Sequence, residues 1–200
     1  MLTKRILDIV YKVHPKIKFI NISSMSILAN NNDYLPQDLM SGYANSKYIS
    51  EQYCIKHPHK DLTNVRFSTI FYEDYKRDGV SKMIHDCFTK NEIVIYNNGS
   101  AKRDIIPIRI VCEYLNKLSK SVTMNRKINI VSGESKSFKN ICDLLLSLNK
   151  SLKVYNEQIR TSFVLSEFSK KDIKNLGEIE FDLKEETNNY LRKLHENSNL

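Results

Sequence analysis

Two hydroxyls and a Tyr–Lys pair are the residues of this chain best placed to move protons. Ser23 and Ser24 end a short apolar run, and Tyr43-Ala44-Asn45-Ser46-Lys47 opens a stretch of helical character. Residues four apart on a helix share one face a turn apart, so Tyr43 and Lys47 would stand side by side. A free phenol ionises at about pH 10, too high for a base at neutrality. A neighbouring ammonium favours the phenolate. With a serine hydroxyl to hydrogen-bond the reacting oxygen, the set would carry a proton to or from a hydroxyl or carbonyl.

Spacing alone carries little weight. A chain with 11 Tyr and 23 Lys in 200 positions yields about 1.3 Tyr-x-x-x-Lys matches by chance. Two are present, Tyr43/Lys47 and Tyr72/Lys76, and context separates them. Tyr43 follows a strand ending in Ser-Ser and starts an amphipathic helix, whereas Tyr72 lies in the polar stretch YEDYKRDG. The plainer alternative for Tyr43 and Lys47 is a half-buried helix pair.

The elements that must position these groups alternate along the chain. Ile6, Ile9, Val10 and Val13 recur at helical spacing, and Pro15 stops that helix. KFINIS, Lys18 to Ser23, suits a buried parallel strand. Asn30 to Asp33 reads as loop, and a helix from Tyr43 to His57 carries Ala44, Tyr48, Glu51 and Ile55 on one stripe. Val65, Phe67, Thr69 and Phe71 alternate as a second strand. A helix over Val80 to Lys90, the strand EIVIY, a turn at Asn97 to Ser100 and an extended Asp104 to Ile108 follow. Ile110, Val111, Tyr114, Leu115 and Leu118 form a helical stripe, and KINIVS is a strand. Ser137 is placed to cap a helix from Phe138 to Leu148, LKVYN is a late strand, and a last amphipathic helix runs through Leu183 to Leu194. Alternation of this kind predicts an α/β fold built from βαβ units on a parallel sheet.

Bulk properties bound the function classes. The net charge of +8 comes from scattered single and paired cations rather than a run, which reads first as a solvated surface, then as a phosphate-bearing ligand, and last as nucleic-acid binding. Cys54, Cys87, Cys112 and Cys142 are too far apart for a zinc or disulfide framework, so reduced, buried thiols in a cytoplasmic protein are expected. The first residues lack a signal-peptide pattern and no segment reaches membrane-spanning length. His57-Pro58-His59 is a helix end rather than a metal pair, with no partner at ligand spacing. Asp33 and Asp38 read as loop and turn residues.

Taken in order, these motifs resemble the extended short-chain dehydrogenase/reductases, the NAD-dependent nucleotide-sugar epimerases, dehydratases and reductases. INISSMSILA is similar to the family's Ser-Ser/Thr stretch, with Ser24 at the hydroxyl position. Tyr43 and Lys47 match its catalytic pair. VRFSTIF resembles the segment bordering the nicotinamide, NNGSAKRDIIPI the glycine turn and Arg-Asp pair at the nucleotide-sugar site, and INIVSGESKSFKNICDLL the segment that resumes the fold. The resemblance runs from about residue 5 to 180 and, as linked motifs in order, is far more specific than any one of them.

The resemblance implies a partial Rossmann-like parallel sheet with a small C-terminal α+β substrate-binding part. Residues 1–75 would belong to the NAD(P)-binding domain and 76–200 to the substrate-binding part, with the last Rossmann strand and helix interleaved at about 127–150. It implies Ser24, Tyr43 and Lys47 as catalytic residues. Ser23, Tyr43, Lys47 and Thr69 would meet NAD or NADP, and Ser24 and Arg103 the nucleotide-sugar substrate, with Arg103 on the diphosphate. A helix-mediated homodimer without nucleic-acid or membrane partners, and a place in surface-polysaccharide sugar synthesis, follow from the same likeness.

Several departures bear on this. Ile27-Leu28-Ala29 stand where Val-Tyr-Gly usually follows, Met25-Ser26 where dehydratases carry an acidic pair, Thr69 for the common Asn, and Arg109-Ile110 for a frequent acidic pair. Above all, Gly42, Gly79, Gly99, Gly133 and Gly177 form no glycine-rich phosphate cradle. The chain is therefore expected to begin inside the Rossmann domain, leaving the 18–23 strand with an unpaired edge. An inactive, truncated remnant of such an enzyme is the alternative reading.

Overall fold

A computed structural model describes residues 1–29, 33–72, 78–121, 126–159 and 168–198. In chain order the elements are α1 (Leu2–Val13), β1 (Phe19–Ser24), α2 (Gly42–Lys56), β2 (Leu62–Phe67), β3 (Thr69–Phe71), α3 (Gly79–Thr89), β4 (Glu92–Tyr96) and β5 (Lys102–Pro107). Then come α4 (Ile108–Lys120), β6 (Lys127–Ile130), β7 (Ser135–Ser137), α5 (Phe138–Leu148), β8 (Lys153–Glu157), α6 (Lys171–Asn175) and α7 (Leu183–Ser198). The chain folds as two compact units. One comprises Met1–Ser68, Arg109–Val131 and Phe168–Glu178; the other Thr69–Ile108, Ser132–Glu167 and Ile179–Leu200.

The first unit holds a parallel sheet in the order β1-β2-β6. Side chains alternate across a strand, so Phe19, Asn21 and Ser23 share one face with their register partners Leu62, Asn64 and Arg66. Leu62 packs on that face with Leu7 of α1 and Cys54 of α2. Beside this small apolar cluster the contact with α2 is polar. Ser50 donates to the Asn21 carbonyl oxygen at 3.2 Å, and Asn21 donates to Asn64 at 2.8 Å. Arg66, one turn of sheet further on, forms an ion pair with Glu51, both buried. Tyr34 closes this group by donating to Glu51 at 2.7 Å and accepting from Arg66 at 3.0 Å.

The electrostatics of that group follow from its geometry. Burial pushes the Glu51 carboxyl up, but the Arg66 guanidinium outweighs burial and leaves it below the usual carboxylate range. Burial and the Glu51 charge push the Tyr34 phenol up to about 12, so it stays a donor.

In the second unit β5 lies between β3, parallel to it, and β7, antiparallel, while β4 pairs in parallel with β8. An apolar core of Phe71, Val80, Ile84, Ile93, Ile105 and Leu145 joins α3, α5 and these strands, with Tyr190 and Leu191 of α7. Ser137 caps α5 as expected and does so in a reciprocal box with Asn140. Gly99 turns the chain between β4 and β5 at φ +67°, and its α-carbon lies so close to α5 that a Cβ would come within 2.6 Å of the Lys139 nitrogen.

The α/β class, the parallel pairing and most elements agree with the sequence reading, and five details differ. The alternating run from Val65 to Phe71 is two strands, β2 and β3, in different units. Every residue of β2 is buried, so its alternation separates two covered faces rather than core from solvent. The helix bearing Tyr43 is not amphipathic in the apolar sense, because Ser50 and Glu51 are on its buried face. Of the four thiols Cys112 is exposed, and α6 and β7 lie in segments without a periodic signal. Asn30 to Asn32 of the expected loop, and Lys76 of the second Tyr–Lys match, lie outside the described residues.

Three outcomes test this account. Arg66→Met strands a buried carboxylate and is expected to destabilise the fold by about 3–5 kcal/mol, whereas the paired change Glu51→Met/Arg66→Met costs far less; urea unfolding measures both. Glu51 is depressed in the folded state, so its contribution is complete above the unfolded carboxylate value of about 4.3 and is lost as pH falls through the folded one. Glu51→Gln should flatten that part of the acid limb. Gly99→Ala adds a Cβ at a positive φ and against backbone, so a loss of about 1–3 kcal/mol is expected by thermal unfolding.

Candidate functional site

Caps set the two ends of the first-unit site. Ser41 accepts from the Ala44 amide at 3.1 Å, which starts α2 at Gly42 and puts Tyr43 in its first turn. At the end of β1, Ser24 accepts from the Ser26 amide at 3.2 Å and shares a 2.9 Å contact with the Ser26 hydroxyl. That cap starts the turn Met25–Ile27, and Met25, Ile27 and Leu28 pack with Ala44 and Val131 beneath it. The strand end and the helix start therefore share one apolar floor.

Above that floor the reactive groups are open. Tyr43 is 58% exposed. The Lys47 ammonium lies 5.7 Å from the Tyr43 ring centre and donates to the Ile22 carbonyl at 2.9 Å. It thus links the helix to the strand that ends in Ser23 and Ser24. Ser23 itself is buried, on the same face as Arg66. The arrangement can hold and pass a proton at a phenol oxygen beside a fixed positive charge.

Thr69 and Arg103 belong to the second unit. Thr69 opens β3 opposite Ile105 and is half-buried. Arg103 and Asp104 are neighbours on β5 and therefore face opposite ways. Asp104 accepts from the Ser132 and Gly133 amides at 2.8 and 2.7 Å, fastening the loop ahead of β7. Arg103 lines a cavity of about 420 Å³ with Met83, Ile93, Ile95, Tyr96 and Phe138. Its guanidinium donates to the Lys102 carbonyl at 2.8 Å and lies 5.9 Å from the Phe138 ring centre. Burial lowers its pKa, and no carboxylate pairs with it among the described residues. A half-buried guanidinium in that state favours an anionic partner.

Sequence reasoning missed the rest of the cavity's charged lining. Lys82 and Lys90 flank Asp86 at helical i, i+4 steps on α3, with Lys90 at 3.0 Å. Burial raises the Asp86 carboxyl, but Lys82, Lys90 and His85 outweigh it and hold it low. The 82-86-90 spacing was the available signal. The alternation of β5 likewise separates the roles of Arg103 and Asp104. Among the described residues no group of three or more metal-ligating side chains gathers, and no helix is long and apolar enough to cross a membrane.

Comparison with known proteins bears on this geometry. No curated protein matches the sequence. Among solved structures, the NAD dependent NDP-hexosamine 5,6-dehydratase TunA of tunicamycin biosynthesis superposes with a TM-score of 0.84 at 18% identity, over 95% of this chain and 66% of that one. A UDP-N-acetylglucosamine 4-epimerase from Methanobrevibacter ruminantium gives 0.80 at 18% identity, over 96% and 68%. An L-threonine dehydrogenase from Phytophthora infestans gives 0.78 at 13% identity, over 98% and 70%. The chain thus spans about two thirds of the length of these structures. At such identities the likeness is one of fold, and it extends to an enzyme named for an amino acid. The sequence itself decides the family: residues 1–130 match the model of the NAD dependent epimerase/dehydratase family, to which this chain belongs.

Proposed function

We propose that the chain carries the proton-transfer and substrate-binding groups of an NAD(P)-dependent enzyme acting on a nucleotide-linked sugar, as epimerase or reductase. The observation that carries this reading is the Lys47 ammonium, held by the Ile22 carbonyl one helical turn from an exposed Tyr43. Tyr43 exchanges the proton of the sugar hydroxyl. Lys47 supplies the adjacent positive charge and addresses the nicotinamide ribose. Ser24, released from its cap on Ser26, hydrogen-bonds the sugar oxygen, and Ser23 and Thr69 border the cofactor. A nicotinamide held beside Lys47, Ser23 and Thr69 would supply or take up the hydride.

Arg103 is the anion partner in this reading. Its cavity has apolar residues for a nucleobase and a half-buried guanidinium, without a carboxylate partner among the described residues, for a diphosphate. Nucleotide sugars that feed surface polysaccharides fit that description.

The pyrophosphate end of the cofactor does not fit these 200 residues. Gly99, Gly133 and Gly177 take positive φ at separate turns, Gly42 and Gly79 sit in first helical turns, and none stands beside another. The second reading is a truncated, catalytically silent remnant of such an enzyme.

One experiment separates the two. Purified protein is titrated with NADH and NADPH by fluorescence, then assayed with a panel of UDP-, dTDP- and ADP-sugars. Turnover that falls about 10²–10⁴-fold in Tyr43→Phe and Lys47→Ala supports the enzyme. Absence of both cofactor binding and turnover leaves the silent reading. Arg103→Ala is expected to weaken nucleotide-sugar binding roughly tenfold or more, as loss of a charge-assisted contact does; calorimetry with UDP-sugar reads this directly.

A further inference from the structure

The turn between α2 and β2 carries two buried histidines that take no part in the candidate site. His57 ends α2 and His59 follows Pro58, and the two residues are 8% and 0% exposed. Tyr11 of α1 packs on both, with ring centres 5.1 and 5.9 Å away, and Tyr53 of α2 lies 5.6 Å from His57. The carboxyl end of α1 is thus fastened to the end of α2 through these rings.

Hydrogen bonds fix where His57 carries its hydrogen. Its Nδ1 accepts from the His59 amide at 3.2 Å, so that nitrogen is bare. The neutral ring therefore holds its hydrogen on Nε2, which faces the Asp8 carboxylate at 3.4 Å. A second proton has only Nδ1 to go to, where it would meet the His59 N–H. Asp8 would gain an ion pair, but its side chain is 45% exposed and such a pair returns little. The buried amide would lose its acceptor altogether.

His59 is closed to a proton for a different reason. Neither of its ring nitrogens makes a regular hydrogen bond among the described residues. Burial first, then His57 and the Arg126 guanidinium, hold its pKa below the ordinary histidine value against the opposing pulls of Asp61 and the Ile17 backbone. Arg126 donates to the His57 and His59 carbonyls at 2.9 and 3.0 Å, so the turn already holds one fixed positive charge. The charged and titratable groups around the rings are therefore Asp8 and Tyr11 of α1, Tyr53 of α2, the pair of Asp61 with Lys18, and Arg126. Both carboxylates are already bonded, Asp8 to Tyr53 and Asp61 to Lys18.

We propose that His57-Pro58-His59 is an acid-sensitive latch, which holds the carboxyl ends of α1 and α2 together while both rings are neutral and releases them when either takes up a proton. The sign follows from His59. An unfolded histidine binds its proton at about pH 6.5, and the latched ring binds it only at lower pH. The latch's contribution is complete above the unfolded value and is lost as pH falls through the folded one. Across that interval the opening equilibrium rises by up to about tenfold per pH unit for each proton taken up. The latch is independent of the nucleotide-sugar reading and needs no ligand.

Histidine NMR and hydrogen exchange on the whole chain, between about pH 8 and pH 5, test it. The His59 ring should titrate below the ordinary histidine value. The His59 amide, and the Phe19 amide that donates to the Asp61 carbonyl at 2.8 Å, should exchange roughly tenfold or more faster at the acid end after correction for intrinsic rates. Second-unit amides should keep their protection. His57→Asn keeps an acceptor at the Nδ1 position without a titrating ring, and His59→Phe keeps a ring without a charge. Together they should make Phe19 exchange independent of pH, whereas His14→Gln, at the exposed end of α1, should change nothing. Circular dichroism verifies that each variant is folded, and the measurements on the unmodified chain need no variant. A His59 ring that titrates at the ordinary value, acid exchange that does not rise, a rise that persists in the folded double variant, or loss of both units in a single step would each overturn the proposal.

Discussion

The ion pair between Glu51 and Arg66 fixes where the candidate site can be. A helix that docks by apolar contact alone can rotate or slide by part of a turn at small cost. α2 has little apolar surface to dock with, and its buried face instead presents Ser50 and Glu51 to Asn21, Asn64 and Arg66. Directional bonds in a buried setting hold one rotation and one register. Tyr43 and Lys47 lie two turns and one turn ahead of Glu51 on the same helix, so their position is inherited from that pair. The cost of burying two charges is offset only while both remain matched, which ties the integrity of the site to the core beneath it.

A second constraint is the period-two alternation of strands. On β1 it sends Ser23 under the helix while leaving Ile22 with a free carbonyl for Lys47. On β5 it sends Asp104 to a loop and Arg103 to a cavity. In each case adjacent residues of similar sequence interest do different jobs, one holding the fold and the other facing a ligand space. The motif supplies both, and the pleat decides which is which.

How much of this was legible in the sequence follows from the same physics. Helix periodicity, the Ser137 cap and the strand at EIVIY are local signals, and they landed where expected. The break between Phe67 and Thr69 was not legible, because alternation continues through Ser68 while the hydrogen-bond partners change from β6 to β5. Nothing local marks the pairing of Arg66, since its partner Glu51 is 15 positions away and only tertiary packing joins them. The Tyr43–Lys47 pairing came from helical geometry, but the tether of Lys47 to Ile22 depends on a strand 25 residues earlier. The cavity around Arg103 draws on α3, β4, β5 and α5, which no single motif spans.

That tether has a stereochemical consequence. An ammonium carries three N–H bonds in a fixed trigonal arrangement about its stem. With one of them committed to the Ile22 carbonyl, free rotation is lost, and the other two are aimed along set directions. A partner offering one acceptor satisfies half of what remains, whereas two oxygens on neighbouring carbons, as in a vicinal diol, can take both. Lys47 is in this sense a rigid two-pronged donor rather than a mobile point charge, and the strand rather than the lysine chooses where the prongs point.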